Sequence, residues 1–163
     1  MKTNLLRTTL GIALLSAMLL PASAQKKPGE AATIELVTIQ GDVKPGATVT
    51  AVIKVALDKG YHTHSNKPSE PQFIATKLTL TAPAGIKAGE IKYPAGKSLA
   101  VTGLAKPLSV YEDHFELSVP LTIDASATLP ASVAGVLGYQ ACQGAVCYPP
   151  KKAPFTIALP PAK

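Results

Sequence analysis

The sequence predicts an all-β fold, a single antiparallel β-sandwich. Two segments, 47–57 and 115–124, alternate between apolar and polar residues, which is the pattern of strands with one buried face. Proline, glycine and aspartate divide the rest of the chain after residue 25 into short runs, and none of these runs has a helical period. The spacing of strand-like runs and turn residues fits one sandwich domain over 25–163.

The two alternating segments are the strongest strand predictions. In 47–57 the shared apolar face is formed by Val49, Ala51, Ile53, Val55 and Leu57. In 115–124 it is formed by Phe115, Leu117, Val119, Leu121 and Ile123. Pro120 falls on the outward face of the second segment and predicts an edge strand, because proline cannot donate to a ladder. Further strands are predicted at 33–39, 60–65, 73–81, 86–93, 133–142 and 147–159.

The first 24 residues are typical of a secretory signal peptide. Lys2 and Arg7 give a positive start, 10–20 is an apolar run, and small residues at 22–24 form a cleavage site before Gln25. The apolar run is too short to span a bilayer, and no cysteine follows it for lipid attachment. We therefore expect a soluble, exported protein without a membrane span of its own.

The charge of the chain argues against nucleic acid as a partner. After residue 24 there are fourteen lysines and ten acidic residues, for a net charge of +4, and no arginine. No run of lysines is longer than a pair, and the planar guanidinium fork that reads phosphate and guanine is missing. The lysines are interpreted as a solvated surface.

The two cysteines of the chain, Cys142 and Cys147, make thiol–disulfide chemistry the leading functional hypothesis. Four residues separate them, which suits a tight hairpin with Cα atoms about 5.5 Å apart, within the range of a disulfide. A loop this short stabilises a fold by only roughly 2 kcal/mol, and a chain of this length has little need of it. The residues alone leave a structural and a redox-active disulfide equally open.

Three segments resemble a known family. They are Tyr139-Gln140-Ala141-Cys142 through Cys147-Tyr148-Pro149-Pro150, then 110–123, and then Gly60-Tyr61-His62-Thr63-His64-Ser65 leading into 77–80. Together these segments resemble the N-terminal periplasmic domain of the thiol:disulfide interchange protein DsbD. The resemblance extends over about 34–159, and the cysteine hairpin is its most specific part.

The resemblance implies an immunoglobulin-like sandwich and a relay of electrons without a cofactor. By analogy with the family, Cys147 forms the mixed disulfide with a partner and Cys142 resolves it. The implied donor is a thioredoxin-like domain, and the implied acceptors are oxidised exported proteins. Family members are usually fused to a membrane electron conduit and a thioredoxin-like domain, so this chain, which ends at Lys163, is expected to use both in trans.

The surroundings of the disulfide depart from the family pattern. Family members shield their disulfide with a loop that carries an aromatic residue, whereas the matching stretch here, 103–108, has none. Leu104 or Leu108 is predicted to take that place. Tyr139 and Tyr148 flank the hairpin and are also predicted to surround the site, with Tyr148 packing beside Cys147.

His62 and His64 support two further hypotheses. They alternate on one predicted strand and therefore share a face, with Cα atoms about 6 to 7 Å apart. If that strand lies beside the hairpin, the two imidazoles could tune the thiolate of Cys147. Alternatively, they could join Cys142 and Cys147 in binding copper or zinc, for which this donor set is suitable.

A third reading is an exported structural sandwich with an inert disulfide. Neither the spacing of the cysteines nor the composition excludes it. His114 precedes the inward-facing Phe115 and is predicted to face solvent.

Overall fold

The computed structural model describes residues 26–160. The predicted signal peptide, residues 1–24, lies outside the described residues. The strands are β1 Ala32–Gln40, β2 Thr48–Leu57, β3 His62–His64, β4 Lys77–Thr81, β5 Ile86–Ala88, β6 Lys97–Leu99, β7 Leu108–Glu112, β8 His114–Ile123, β9 Ala131–Tyr139, β10 Ala141–Gln143, β11 Val146–Cys147 and β12 Lys151–Leu159. No helix among these residues is long and apolar enough to cross a membrane.

The strands form three antiparallel sheets that pack as an immunoglobulin-like sandwich, which confirms the predicted fold class. Their orders are β1-β2-β8-β5, β12-β9-β4 and β11-β10-β3-β7-β6. The core joins the inward faces of all three sheets, for example Ile53 of β2, Leu137 of β9 and Tyr111 of β7. Alternation along each long strand produces this core, because every second side chain points to the same face.

One of the two longest ladders among the described residues joins the two segments with the clearest alternation. β2 and β8 pair over nine residues from Thr48↔Thr122 to Ala56↔His114. All apolar residues predicted to face inward on the two strands are buried. Burying a Val, Leu, Ile or Phe side chain stabilises a fold by about 1.5–3 kcal/mol, so this ladder is a large source of stability.

The prediction that Pro120 marks an edge strand is wrong, because β8 lies between β2 and β5. The proline is tolerated because it stands where the short strand β5 has just ended at Ala88. Its carbonyl still accepts a hydrogen bond from the Gly89 amide at 2.8 Å, and regular pairing resumes only at the Lys92↔Ser118 bridge. The missing N–H of Pro120 therefore falls at a gap in the ladder.

The predicted strands 133–142 and 147–159 are each divided in two. β9 ends at Tyr139, which pairs with Lys151 in one sheet, and β10 begins at Ala141, which pairs with Thr63 in another. Gln140 is the crossing point between the two sheets. On the return, 148–150 separate β11 from β12, because the two prolines cannot donate to a ladder. The cysteine hairpin thus projects from one sheet while its flanking strands belong to another.

Two strands of the hairpin sheet, β6 and β7, were not predicted. Each is short, and β7 places Val110 and Tyr111 in adjacent buried positions, which breaks the period of two. β7 pairs with β3 through His62↔Glu112 and His64↔Val110. It therefore makes β3 an interior strand and buries both histidines.

Candidate functional site

The predicted pairing of the cysteines is present at the tip of the β10–β11 hairpin. The Sγ atoms of Cys142 and Cys147 are 1.98 Å apart and their Cα atoms 4.0 Å apart. The strands are joined by a two-residue turn, Gly144-Ala145, with Gly144 at φ 57°. Glycine at the first turn position with positive φ is the arrangement of a type II′ hairpin.

The Cα separation is smaller than the expected 5.5 Å, and the hydrogen bonding gives the reason. The Tyr148 amide donates to the Ala141 carbonyl at 2.9 Å, so that pair is hydrogen-bonded. The next pair, Cys142↔Cys147, is consequently a non-hydrogen-bonded pair. Residues in such pairs approach more closely than those in hydrogen-bonded pairs.

The two cysteine residues differ sharply in solvent exposure. Cys142 is fully buried, because β10 pairs on its other side with β3 through Cys142↔His62. Cys147 is exposed on the edge strand β11, and its neighbour Val146 has 63% of its surface exposed. The hairpin therefore has one cysteine residue at the surface and buries the other.

His64 contacts the buried cysteine. Its Nε2 lies 3.9 Å from the Cys142 Sγ, and the residue is fully buried. The contact that the structure shows is with Cys142, and the hypothesis that the histidines tune the thiolate of Cys147 stays a prediction. His62 pairs with Cys142 along the backbone and faces a cavity beside the hairpin turn, lined also by Glu112, Gly144 and Ala145.

Phe73 holds the other face of the His64 ring. The two rings stack with centroids 4.4 Å apart and planes 15° apart. Phe73 comes from the loop between β3 and β4, which the sequence analysis had partly assigned to a strand at 73–81. It was missed because an aromatic residue in a long loop carries no periodic signal, and only the fold brings that loop back over β3.

Leu104 and Leu108 lie near Phe73. Both line a small cavity together with Phe73, Glu70 and Lys106. Leu108 is buried in β7, while 44% of the surface of Leu104 is exposed. Both are therefore on the side of the sheet where Phe73 covers His64, and their predicted role as a shield of the disulfide stays a prediction.

Buried hydroxyl groups fix the strand that carries the histidines. The Thr76 Oγ1 donates to the His64 carbonyl at 2.6 Å, and lies 3.0 Å from the Thr63 Oγ1. The Thr76 amide donates to the same carbonyl at 3.2 Å. Satisfied polar groups of this kind hold a buried strand in one position.

Burial lowers the pKa of both ring systems. For His62 the burial outweighs the opposing charge of Glu112, and for His64 the effect of burial is reinforced by His62. Desolvation disfavours the charged imidazolium, so both rings are neutral at pH 7. Their side-chain atoms His62 Nε2 and His64 Nδ1 are buried with no hydrogen-bond partner among the described residues.

The two predicted tyrosines occupy different places. Tyr139 is buried in the core, and its hydroxyl accepts a hydrogen bond from the Ala32 amide at 3.3 Å. Tyr148 is next to Cys147, with its ring 5.9 Å from that of Tyr61. The Tyr148 carbonyl accepts a hydrogen bond from the Gln140 Nε2 at 3.0 Å. Tyr148 thus anchors the base of the hairpin.

Three of the four residues in the metal hypothesis come together. Among residues 26–160, one ring nitrogen of His64 and the sulfurs of Cys142 and Cys147 lie within 4.8 Å of one another, and His62 is not part of this group. His114 is apart from it on β8, where its Nε2 lies 3.2 Å from the Glu35 Oε1. Its side chain is exposed, as the sequence predicted.

The family of the chain follows from a sequence model. Residues 30–159 match the model for the N-terminal domain of the thiol:disulfide interchange protein DsbD. No protein among the curated sequences matches the chain.

One solved structure supports the fold. The chain is similar to the N-terminal periplasmic domain of ScsB from Proteus mirabilis, with a TM-score of 0.58, 17% identity, and coverage of 85% of this chain and 51% of that one. It thus spans about half of the ScsB structure. The DsbD N-terminal domain from Neisseria meningitidis in the reduced form gives a TM-score of 0.44 and 18% identity, over 75% of this chain and 83% of that one. The complex of the DsbD and PilB N-terminal domains from Neisseria meningitidis gives a TM-score of 0.48 and 17% identity, over 85% of this chain and 91% of that one.

Proposed function

This chain belongs to the family of the N-terminal domain of the thiol:disulfide interchange protein DsbD, and we propose that it relays electrons between protein partners in the periplasm. Thiol–disulfide interchange is its function, and the disulfide that performs it is Cys142–Cys147. The observation that carries the proposal is the pairing of one exposed cysteine residue with one buried cysteine residue in the same hairpin. The predicted signal peptide at 1–24 supports export.

Cys147 is the sulfur that partners attack. In the first half of the cycle, a thiolate of the donor bonds to the Cys147 Sγ, and the electron pair of the broken S–S bond passes to the Cys142 Sγ. The second thiol of the donor then displaces Cys147 as a thiolate. The donor leaves as a disulfide, and the hairpin now holds two thiols.

The second half of the cycle returns the hairpin to its oxidised form. The Cys147 thiolate attacks the disulfide of an oxidised exported protein and forms a mixed disulfide with it. The Cys142 thiolate then attacks the Cys147 Sγ and displaces the acceptor as a thiolate. Two electrons pass from donor to acceptor, and no cofactor takes part.

His64 assists the buried cysteine. When Cys142 leaves as a thiolate, it gains a negative charge at a fully buried position, which is costly unless a donor is near. A neutral His64 ring with its proton on Nε2 supplies that donor at 3.9 Å. Phe73 keeps the ring in place through its stack, so His64 acts on a sulfur that no partner touches.

The donor is a reduced thioredoxin-like domain, and the acceptors are oxidised exported proteins. A membrane electron conduit supplies this donor with electrons. Docking is helped by the apolar surface of Val146 next to the reactive sulfur, because burying it on contact contributes to association. Leu104, Leu108 and Tyr148 limit access to the hairpin when no partner is bound.

Trapping tests this assignment. In cells that express Cys142→Ala, Cys147 should accumulate mixed disulfides with thioredoxin-like and exported proteins, identified by non-reducing electrophoresis and mass spectrometry. Cys147→Ala is the matched control and should trap far less, because its remaining cysteine residue is buried. The reduction potential of the wild-type pair should also lie above the value of about −300 mV below which structural disulfides usually fall.

Two outcomes would contradict the assignment. Equal trapping by both variants would show that the difference in exposure does not decide the order of attack. A trap that stays empty in both, together with a potential below about −300 mV, in the range of structural bridges, would leave an inert cross-link in an exported sandwich.

A further inference from the structure

Three side chains that bind soft metal ions meet at the hairpin. Two of them lie on its strands β10 and β11, and the third lies on β3, far away in the sequence. The ring nitrogen of His64 and the sulfurs of Cys142 and Cys147 lie within 4.8 Å of one another. We propose that reduction of the disulfide converts this cluster into a binding site for one thiophilic cation, Cu(I) or Zn(II). The site exists only in the reduced chain, because a disulfide sulfur is not a thiolate ligand.

The distances suit such an ion. Metal–sulfur bonds of about 2.3 Å and metal–nitrogen bonds of about 2.0–2.1 Å, at trigonal or tetrahedral angles, set nitrogen and sulfur about 3.5–3.8 Å apart. The His64 Nε2 and the Cys142 Sγ are already 3.9 Å apart. The remaining ligand, Cys147, must move its sulfur away from Cys142 once the bond is open, and its exposed position on an edge strand allows this.

The ring of His64 turns one particular nitrogen to the cysteines. This is Nε2, 3.9 Å from the Cys142 Sγ, and it is the atom that would bind the ion. The other ring nitrogen, Nδ1, and the Nε2 of His62 are buried without a hydrogen-bond partner among the described residues, and neither is a ligand in this proposal. His62 is outside the three-ligand group and would act on the site from beside it.

Binding is coupled to the redox cycle in a defined way. A donor dithiol reduces Cys142–Cys147 and becomes a disulfide, which leaves two thiols in the hairpin. The cation then replaces the thiol protons, which pass to solvent. A metal-bound chain has no free Cys147 thiolate, so the cation holds the reduced form and blocks transfer to the acceptor until it leaves.

The proposal rests on the proposed function only in requiring that the disulfide can be reduced, and a chemical reductant meets this requirement. The chain is reduced with a phosphine, desalted without oxygen, and titrated with Cu(I) or Zn(II) against a coloured chelator of the same ion. We expect one equivalent of at least one of the two ions in the reduced chain and none in the oxidised chain. His64→Ala removes a ligand and should weaken binding by about tenfold or more. Even the loss of a residue that only hydrogen-bonds to a metal ligand typically has an effect of that size.

Matched variants separate binding from folding. His114→Ala removes an exposed histidine on β8 and should keep wild-type affinity. Cys147→Ser changes an exposed position, so it should keep the fold by circular dichroism and still bind at least about tenfold more weakly. Equal binding by oxidised and reduced chains, no binding by the reduced chain, or wild-type affinity in both His64→Ala and Cys147→Ser would overturn the proposal. If the chain forms trapped mixed disulfides but its reduced form binds no ion, the metal proposal is wrong and the proposed relay is unaffected.

Discussion

The β2–β8 ladder and the three strands β3, β10 and β11, here called the corner, differ in the residues at their buried positions. In the ladder every buried side chain is apolar, and the pairing runs without interruption for nine residues. In the corner the strands have three, three and two residues, and the buried positions include His62, Thr63 and His64. The ladder stabilises the fold, while the corner holds a disulfide, one imidazole in contact with the buried cysteine, and a second imidazole whose centroid is 6.3 Å from the first.

The comparison also shows how the chain protects one cysteine residue and offers the other. Cys142 is sheltered because β10 is paired on both sides, with β11 and with β3. Cys147 is open because β11 is the edge of that sheet. An edge strand is normally a liability, and here it is the position from which exchange can occur.

The largest effect is expected in the ladder. Leu117→Ala removes a fully buried side chain from β8 and should lower the free energy of unfolding by about 2–5 kcal/mol, as measured in urea. The reactivity of the disulfide in the remaining folded protein should be unchanged. The control Leu36→Ala truncates a leucine with 53% of its surface exposed on β1 and should change stability by less than about 0.5 kcal/mol. A similar loss in both variants would mean that the ladder is not a large source of stability.

A smaller effect is expected where the corner is held together by aromatic contact. Phe73→Ala removes the stack on His64 and should cost about 0.5–1.5 kcal/mol beyond the loss of buried area. It should also change the rate at which a small dithiol reduces Cys142–Cys147, since His64 is no longer fixed against Cys142. Phe73→Leu keeps an apolar side chain without the ring and serves as the control. If Phe73→Ala leaves the rate of reduction unaltered, the stack does not position His64 for the reaction.

The prediction with the smallest effect at neutral pH is how the two buried imidazoles change the free energy of unfolding with pH. Because burial lowers the pKa of His62 and His64, the unfolded chain binds protons on these residues at a higher pH than the folded chain does. The free energy of unfolding should therefore fall as the pH drops below the ordinary histidine pKa of about 6.5, and should be free of this effect above it.

Variants identify the rings responsible. His62→Gln combined with His64→Gln should flatten the decline in the free energy of unfolding between about pH 6.5 and 5. His114→Gln, which leaves both buried rings in place, should keep it. The measurement is urea unfolding at a series of pH values. A decline that persists in the double variant would have to come from other groups.

Sequence reasoning succeeded where a pattern repeats. The alternation around Ile53 and Leu117 identified β2 and β8, and two cysteines five positions apart indicated the hairpin. It failed where a local rule was overruled by neighbours. Pro120 was assigned to an edge because proline interrupts a ladder, yet it lies in an interior strand opposite a gap that no pattern in 115–124 reveals.

The site could be predicted only in part. The cysteines, and the histidines as candidates, could be read from the sequence because their chemistry is specific to their residue types. Phe73 could not be found, because its relevance depends on a loop of the fold that returns over β3. The neutrality of the two imidazoles depends on β7, a strand whose adjacent buried residues Val110 and Tyr111 hide it from a search for alternation.

By itself the sequence determined the β architecture, the redox-capable pair and the family, because alternation and cysteine spacing are local and act through the chain alone. The tertiary structure decided which cysteine residue is exposed, that His64 touches Cys142, and that Phe73 covers the ring. Those features arise from the order of strands in the sheet, with β3 between β10 and β7. That order is fixed by the burial of side chains that are far apart in the sequence, so no local pattern contains it.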